Sequence, residues 1–128
     1  MARVTFTQDD LLKSKLVSPG WYSVLVKEYT QEQAGTDGSD LYVYSIVIDQ
    51  PGNPFNNVPI RFQVSEKALG MGIELFEACG MDIKPGVPLE TEKCVGKKID
   101  GFVQRGEYKG RGKNELVSFR KRKELSQG

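Results

Sequence analysis

The chain has 128 residues and a formal net charge of +1, with 38% hydrophobic residues, no histidine, two cysteines and one tryptophan, which suits one soluble domain with a modest core. Without histidine there is no imidazole base, no Ser-His triad and no His-ligated metal, and Cys79 and Cys94 are too few for a four-ligand zinc site. Residues 1–18 lack the apolar run of a signal peptide, and no stretch approaches the ~20 apolar residues of a membrane span, so a cytoplasmic protein that does not enter membranes is expected.

In chain order, residues 7–15 carry a Thr/Asp cap signal for a short helix or turn, and Pro19-Gly20 marks the start of a first strand over 21–29. There Tyr22, Val24 and Val26 share the expected core face, although Leu25 spoils the division, as it would in a strand that bends to serve two sheets. Residues 35–38 are turn-prone. Residues 41–49 form the strongest strand, apolar on both faces, so periodicity does not say whether Tyr42 and Tyr44 point inward or onto an outer platform. A Pro/Asn loop leads to a third strand over 58–64, with Ile60, Phe62 and Val64 inward and Arg61 and Gln63 outward; Pro59 places it at an edge or a bulge. Ser65 then caps a helix over 66–79 with a Leu69/Ile73/Phe76 stripe, closed by Gly80 and weakened by Gly70 and Gly72. Strands over 97–105 and 114–120 follow, joined by a basic Gly-rich turn over 106–113.

The whole chain, 1–128, reads as one domain with a lead-in over 1–19 and a basic end over 120–128. The expected fold class is mainly β: a five-stranded OB-fold-like barrel with one helix between strands 3 and 4 and a short N-terminal helix or turn. An SH3-like barrel and an irregular β-sandwich share the strand content, but the single helix at that position favours the OB arrangement. The cysteines read as buried free thiols, since sequence cannot establish a pair.

Charge is unevenly spread. Residues 1–92 hold 7 basic and 13 acidic side chains, whereas residues 93–128 hold 11 basic and 4 acidic. A concentrated basic segment attracts polyanions even when the whole chain is near neutral. Part of it, 120–123, reads equally well as a solvated tail. No P-loop, calcium loop or dinucleotide fingerprint is present, and the pairs Asp9-Asp10, Asp37/Asp40 and Glu90/Glu92 sit in termini or turns without a partner for acid–base work. The expectation is no catalytic residue, no metal site and no cofactor.

Single-stranded nucleic acid needs cations along the phosphates and flat side chains under the bases. The candidates are the aromatics Trp21, Tyr29, Tyr42, Tyr44 and Tyr108 with the cations Lys27, Arg61, Lys97, Lys98, Arg105, Lys109, Arg111, Lys113 and Arg120. Tyr108, in the turn between the last two strands, is expected to be exposed. Phe62, Phe76, Phe119 and Tyr22 are expected in the core. The groove would run over strand 1, the outer side of strands 2 and 3, and the loop holding Tyr108.

From Pro19 to about Lys121 the sequence resembles the small single-stranded-DNA-binding proteins of bacteriophage replication modules. The resemblance lies in Pro19-Gly20-Trp21-Tyr22-Ser-Val24-Leu-Val26, Gly38-x-x-Leu-Tyr-Val-Tyr-Ser-Ile-Val-Ile48, the helix ended by Gly80, Val95-Gly96-Lys97-Lys98, and Tyr108-Lys-Gly110 before Asn114-Glu-Leu-Val-Ser-Phe119. It implies an OB-fold that protects single-stranded DNA during phage replication or recombination, in the host cytoplasm, alongside phage replication or recombination proteins. Oligomers are compatible with it. The acidic tail with terminal Phe of bacterial single-strand binders is missing, and the end here is basic. Two other readings stand: an OB-like protein-interaction or virion structural module, and an RNA-binding regulator.

Overall fold

Thr7 and Asp10 cap each other. The Asp10 N–H donates to Thr7 Oγ1 at 3.1 Å and the Thr7 N–H donates to Asp10 Oδ2 at 2.9 Å, satisfying two of the orphan donors at the start of α1 (Gln8–Ser14). The structure, a computed structural model, describes residues 3–33, 35 and 38–122, without the side chains of Asp9, Lys13 and Tyr108. Thr36 and Asp37 of the expected turn and residues 123–128 of the basic end lie outside it. After α1 come β1 (Gly20–Gln33), β2 (Asp40–Ile48) and β3 (Pro59–Ser65). A 3₁₀ segment (Glu66–Gly72), α2 (Ile73–Ala78), a 3₁₀ turn (Thr91–Cys94), β4 (Lys98–Tyr108) and β5 (Arg111–Lys121) complete it. No helix among the described residues is long and apolar enough to cross a membrane.

The five strands form one antiparallel sheet in the order β3-β2-β1-β4-β5. β1 is its shared member: Gly20 to Leu25 pair with β4 while Val24 to Gln33 pair with β2. The register with β2 slips between Val26 and Glu28, leaving Lys27 as a bulge. This is the bend that Leu25 hinted at. Because alternation restarts beyond the bulge, Val24 and Val26 are buried, and so Tyr29, an odd-numbered neighbour, also turns towards the core.

The inner face is set by period-two alternation. Tyr44, Ile46 and Ile48 of β2 are fully buried, as are Val64 of β3, Ile99 and Val103 of β4, with Ile60, Phe62, Leu116 and Phe119 nearly so. Each large apolar side chain removed from water contributes about 1.5–3 kcal/mol before entropy is counted. β3 and β5 lie at opposite edges of the sheet, yet Phe62 and Phe119 meet edge to face at 4.8 Å. The sheet therefore curls until its edges touch through side chains, with no ladder between them among the described residues.

The lead-in is built into this curl. Val17 is fully buried, and its N–H donates to Asn114 Oδ1 at 2.8 Å while Asn114 Nδ2 donates to the Lys15 carbonyl at 2.8 Å. One amide side chain thus ties residues 15–17 to β5.

Two expectations about local structure are met only in part. The segment after Ser65 is not one α-helix: it is 3₁₀ to Gly72, with Ala68 outside helical dihedrals, and α-helical only from Ile73. With about 3.0 residues per turn in its first half, the i, i+4, i+7 stripe is lost. Leu69 and Ile73 are 54% and 44% exposed; of the stripe Phe76 alone faces the core, together with Gly72, Leu75 and Ala78. Gly72 is a packing requirement, since a Cβ there would lie 2.9 Å from Phe76 Cε2 and 3.0 Å from Val64 Cγ2. The expected basic loop over 106–113 is also not a loop. β4 and β5 pair out to Tyr108 and Arg111, leaving a two-residue turn of Lys109 (φ 53°) and Gly110 (φ 77°), the positive-φ geometry that matches hairpin twist.

Candidate nucleic-acid interface

Beyond the bulge, the outer face of the sheet is organised in rows by register. Glu28 lies opposite Ser45, which lies opposite Arg61; Thr30, Val43 and Gln63 form the next row. Facing these rows is the far half of the β4–β5 hairpin. β4 leaves β1 after Val103, whereas the β4–β5 ladder continues to the Tyr108–Arg111 pair, so the hairpin tip projects past the sheet. Between tip and sheet runs a groove of about 1150 Å³, floored by the outer rows and Glu32 and walled by residues 111–114 and residues 14–16.

Charge in this groove is mixed. Arg61 Nη2 lies 3.2 Å from Glu32 Oε1 and 3.3 Å from Gln63 Oε1. Lys113 Nζ lies 3.4 Å from Glu115 Oε1; the Glu115 carboxylate crosses the face of Gly106, where a Cβ would collide with it. Arg111 is exposed on the wall and makes no ion pair among the described residues. These pairs are solvent-exposed, so each is worth ~1 kcal/mol or less and opens readily for a competing anion.

Other candidate residues lie elsewhere. Trp21 pairs with Phe102 across β1 and β4, ring to ring at 5.4 Å, and the Arg120 guanidinium sits 4.0 Å from the Trp21 ring centre. Arg120 Nε is 3.3 Å from Asp100 Oδ2, a carboxylate nearly buried beneath it. One face of the tryptophan is therefore covered, and the residue is 39% exposed. Lys98 is exposed opposite Leu25 on β1, and Lys27 is exposed at the bulge. Lys97 belongs to a separate pocket of about 420 Å³ lined also by Cys79, Met81 and Lys93. Arg105 and Lys109 are exposed on the projecting hairpin. The side chain of Tyr108, which the sequence singles out, lies outside the described residues; only its backbone at the hairpin tip is defined.

The tyrosines divide by depth. Tyr44 is 0% exposed; its hydroxyl donates to the Thr91 carbonyl at 2.9 Å and its ring packs 5.1 Å from Tyr29. It is a core residue, not part of an outer platform, because the inner face of β2 is the one carrying the even-numbered residues. Burial, followed by Cys94 and Tyr29, pushes its hydroxyl well above the ordinary value near 10. Tyr42 and Tyr29 are half-buried against the same core. Burial raises Tyr42 first, with Asp40, Glu66 and Tyr29 adding to it.

Several residues that shape the site escape sequence reasoning. Glu28 and Glu32 face outward only because the bulge resets alternation. Asn114 carries no local signal in a strand rich in polar residues, and its partners at residues 15 and 17 are distant in sequence. Arg122, read with the tail, donates to the Val24 carbonyl at 2.9 Å and pairs with Asp49 at 3.2 Å. Among the described residues, no group of three or more His, Cys, Asp or Glu side chains is placed to hold a metal ion. The sequence matches no protein-family model and no curated protein, so the functional reading rests on the chemistry of these surfaces.

Proposed function

We propose that the chain is a sequence-tolerant single-stranded DNA-binding protein with an OB-like barrel and no catalytic step, serving phage replication or recombination. The observation that carries the reading is the groove between the outer face of β1–β3 and the projecting β4–β5 hairpin, with Arg61 on its floor and Arg111 and Lys113 on its wall. The OB assignment is supported by the shared strand β1, the Phe62–Phe119 contact between the sheet edges and the helical segment between β3 and β4. In this reading the strand's phosphates displace Glu32 from Arg61 and Glu115 from Lys113. Bases lie over Ser45 or against the hairpin tip.

Trp21 stands outside the groove and is capped by Arg120, so labelled oligonucleotide is a better reporter than tryptophan quenching. Anisotropy titrations of labelled oligo-dT of increasing length should give affinity that grows with length and exceeds that for a matched duplex. Affinity should fall with salt at a log–log slope of roughly −2 to −3 for three or four neutralised phosphates. Equal affinity for RNA would leave the DNA and RNA readings tied, and tighter binding of RNA would move the assignment to an RNA regulator. No binding at low salt would leave the groove to an acidic protein partner and end the nucleic-acid reading.

A further inference from the structure

Outside the groove, the most unusual chemistry is a knot of sulfur on the inner side of the sheet. α2 is C-capped by Cys79, and Gly80, at φ 86°, turns the chain so that the Gly80 N–H reaches the Glu77 carbonyl and the Met81 N–H the Phe76 carbonyl, the two bonds of a Schellman motif. That turn folds Met81 back over the core, where its Sδ lies 3.7 Å from Cys94 Sγ. Cys94 closes the 3₁₀ turn before β4 and is fully buried; Cys79 is nearly so, and both belong to the same core cluster. Cys79 and Met81 form one wall of the 420 Å³ pocket that also holds Lys97.

Both thiols are free, and they flank one methionine: Cys94 Sγ rests on Met81 Sδ, while Met81 lies two residues beyond Cys79 in the same pocket wall. The Cys94 hydrogen bond, then burial, raises Cys79 above the ordinary thiol value, whereas the same contact, with Tyr44 and Lys97 assisting, lowers Cys94. The thiol facing the pocket is thus the less acidic one, and its neighbour is the better nucleophile. The two are 15 residues apart in sequence, bracketing the Pro-containing connection between α2 and β4.

We propose that Cys79 and Cys94 are a dithiol oxidation site that closes to an intramolecular disulfide, stapling the end of α2 to the start of β4. With an azodicarboxamide as oxidant, one sulfur gives up its proton and adds to the N=N bond. The second sulfur then attacks the first, the S–S bond forms as the S–N bond breaks, and the hydrazine product leaves with both electrons and both protons. The staple has a structural reach beyond its own loop. Two residues past Cys94, the Gly96 N–H donates to the Val26 carbonyl at 2.7 Å and the Val26 N–H to the Lys97 carbonyl at 3.0 Å, so the closed loop anchors β1 beside the bulge that sets the groove floor. The inference does not depend on what the groove binds.

The test is oxidation of the native protein with diamide, alkylation of remaining thiols, and peptide mapping by mass spectrometry. Both cysteines should disappear together into one cross-linked peptide within a monomer, dithiothreitol should restore them, and the thermal midpoint should rise by roughly 5–10 °C, as expected for closing a loop of this length. Thiols that react only after denaturation, cross-links between chains, or a midpoint that falls on oxidation would overturn the proposal. In Cys79→Ser and Cys94→Ser, each compared with its own untreated form, diamide should leave the midpoint unchanged; a shift that persists in either would also overturn it.

Discussion

The two stretches of basic residues on β5 behave differently. At its C-terminal end Arg120 lies over Trp21 and on Asp100, and Arg122, one residue past the strand, is tied to the Val24 carbonyl and Asp49. At its N-terminal end Arg111 and Lys113 stand on a hairpin that has outrun its neighbour β1, over a groove they help to wall. Equal charge therefore does unequal work. Cations backed by a paired strand and a buried carboxylate are tied into the fold, whereas on the overhang Arg111 is exposed and Lys113 is held by a solvent-exposed pair with Glu115. A basic segment counted along the chain merges the two.

Substitutions can sharpen this contrast, beginning with the core that both ends rest on. Tyr44→Ala empties a fully buried site and is expected to cost about 3–5 kcal/mol, read as a lower urea midpoint; an unchanged midpoint would place Tyr44 at the surface after all. The same residue gives a pH signature. In the unfolded chain its hydroxyl ionises near 10, while in the fold it stays protonated to higher pH. The folded state then binds more protons, so stability is intact below about pH 10 and falls above it, by up to ~1.4 kcal/mol per pH unit. Comparing urea midpoints at pH 8 and 11 should show that fall in the wild type and a shallower one in Tyr44→Phe.

Arg122→Ala is expected to destabilise by about 1–3 kcal/mol, since it strands Asp49 and the Val24 carbonyl, with affinity for oligo-dT changed less than threefold in the folded protein. A large loss of affinity at unchanged stability would reverse the roles given to the two ends of β5. The double variant Arg111→Ala/Lys113→Ala should do the opposite. Its stability should stay within about 0.5 kcal/mol of wild type, while affinity drops roughly tenfold and the salt slope becomes shallower by about 1.4. The smallest effect belongs to Glu32→Gln, which releases Arg61 from its acidic partner and removes a negative charge from the groove floor. Affinity should rise about two- to fivefold at low salt and converge with wild type at high salt.

How much of this was legible in the sequence depends on the kind of order involved. β3 was readable because alternation alone sets Ile60, Phe62 and Val64 inward and Arg61 outward; β2 was readable as a strand, but with both faces apolar its alternation left Tyr42 and Tyr44 undecided. The cap at Thr7 and the turn at Gly80 were readable because each rests on a few adjacent residues. The Leu69/Ile73/Phe76 stripe misled because it presumes 3.6 residues per turn, and Gly72 packs the first half of that segment too tightly against Val64 for such a helix. The groove was hidden for two physical reasons. A one-residue bulge at Lys27 exchanges inside and outside for Glu28 to Glu32, and the hairpin's overhang depends on where the β1–β4 pairing stops. Trp21 and Arg120 become neighbours only through β4, a relation between three distant strands that no local pattern encodes.

The most direct measurement is a two-dimensional NMR titration of labelled protein with short oligo-dT. Shifts concentrated at the amides of Thr30, Val43, Ser45, Arg61, Gln63, Arg111 and Lys113, with Trp21, Phe102 and Arg120 unmoved, are the expected result. Shifts centred on Trp21 and Arg120 instead, with the hairpin overhang silent, would put the nucleic acid on the Trp21–Arg120 surface and contradict the assignment of the groove.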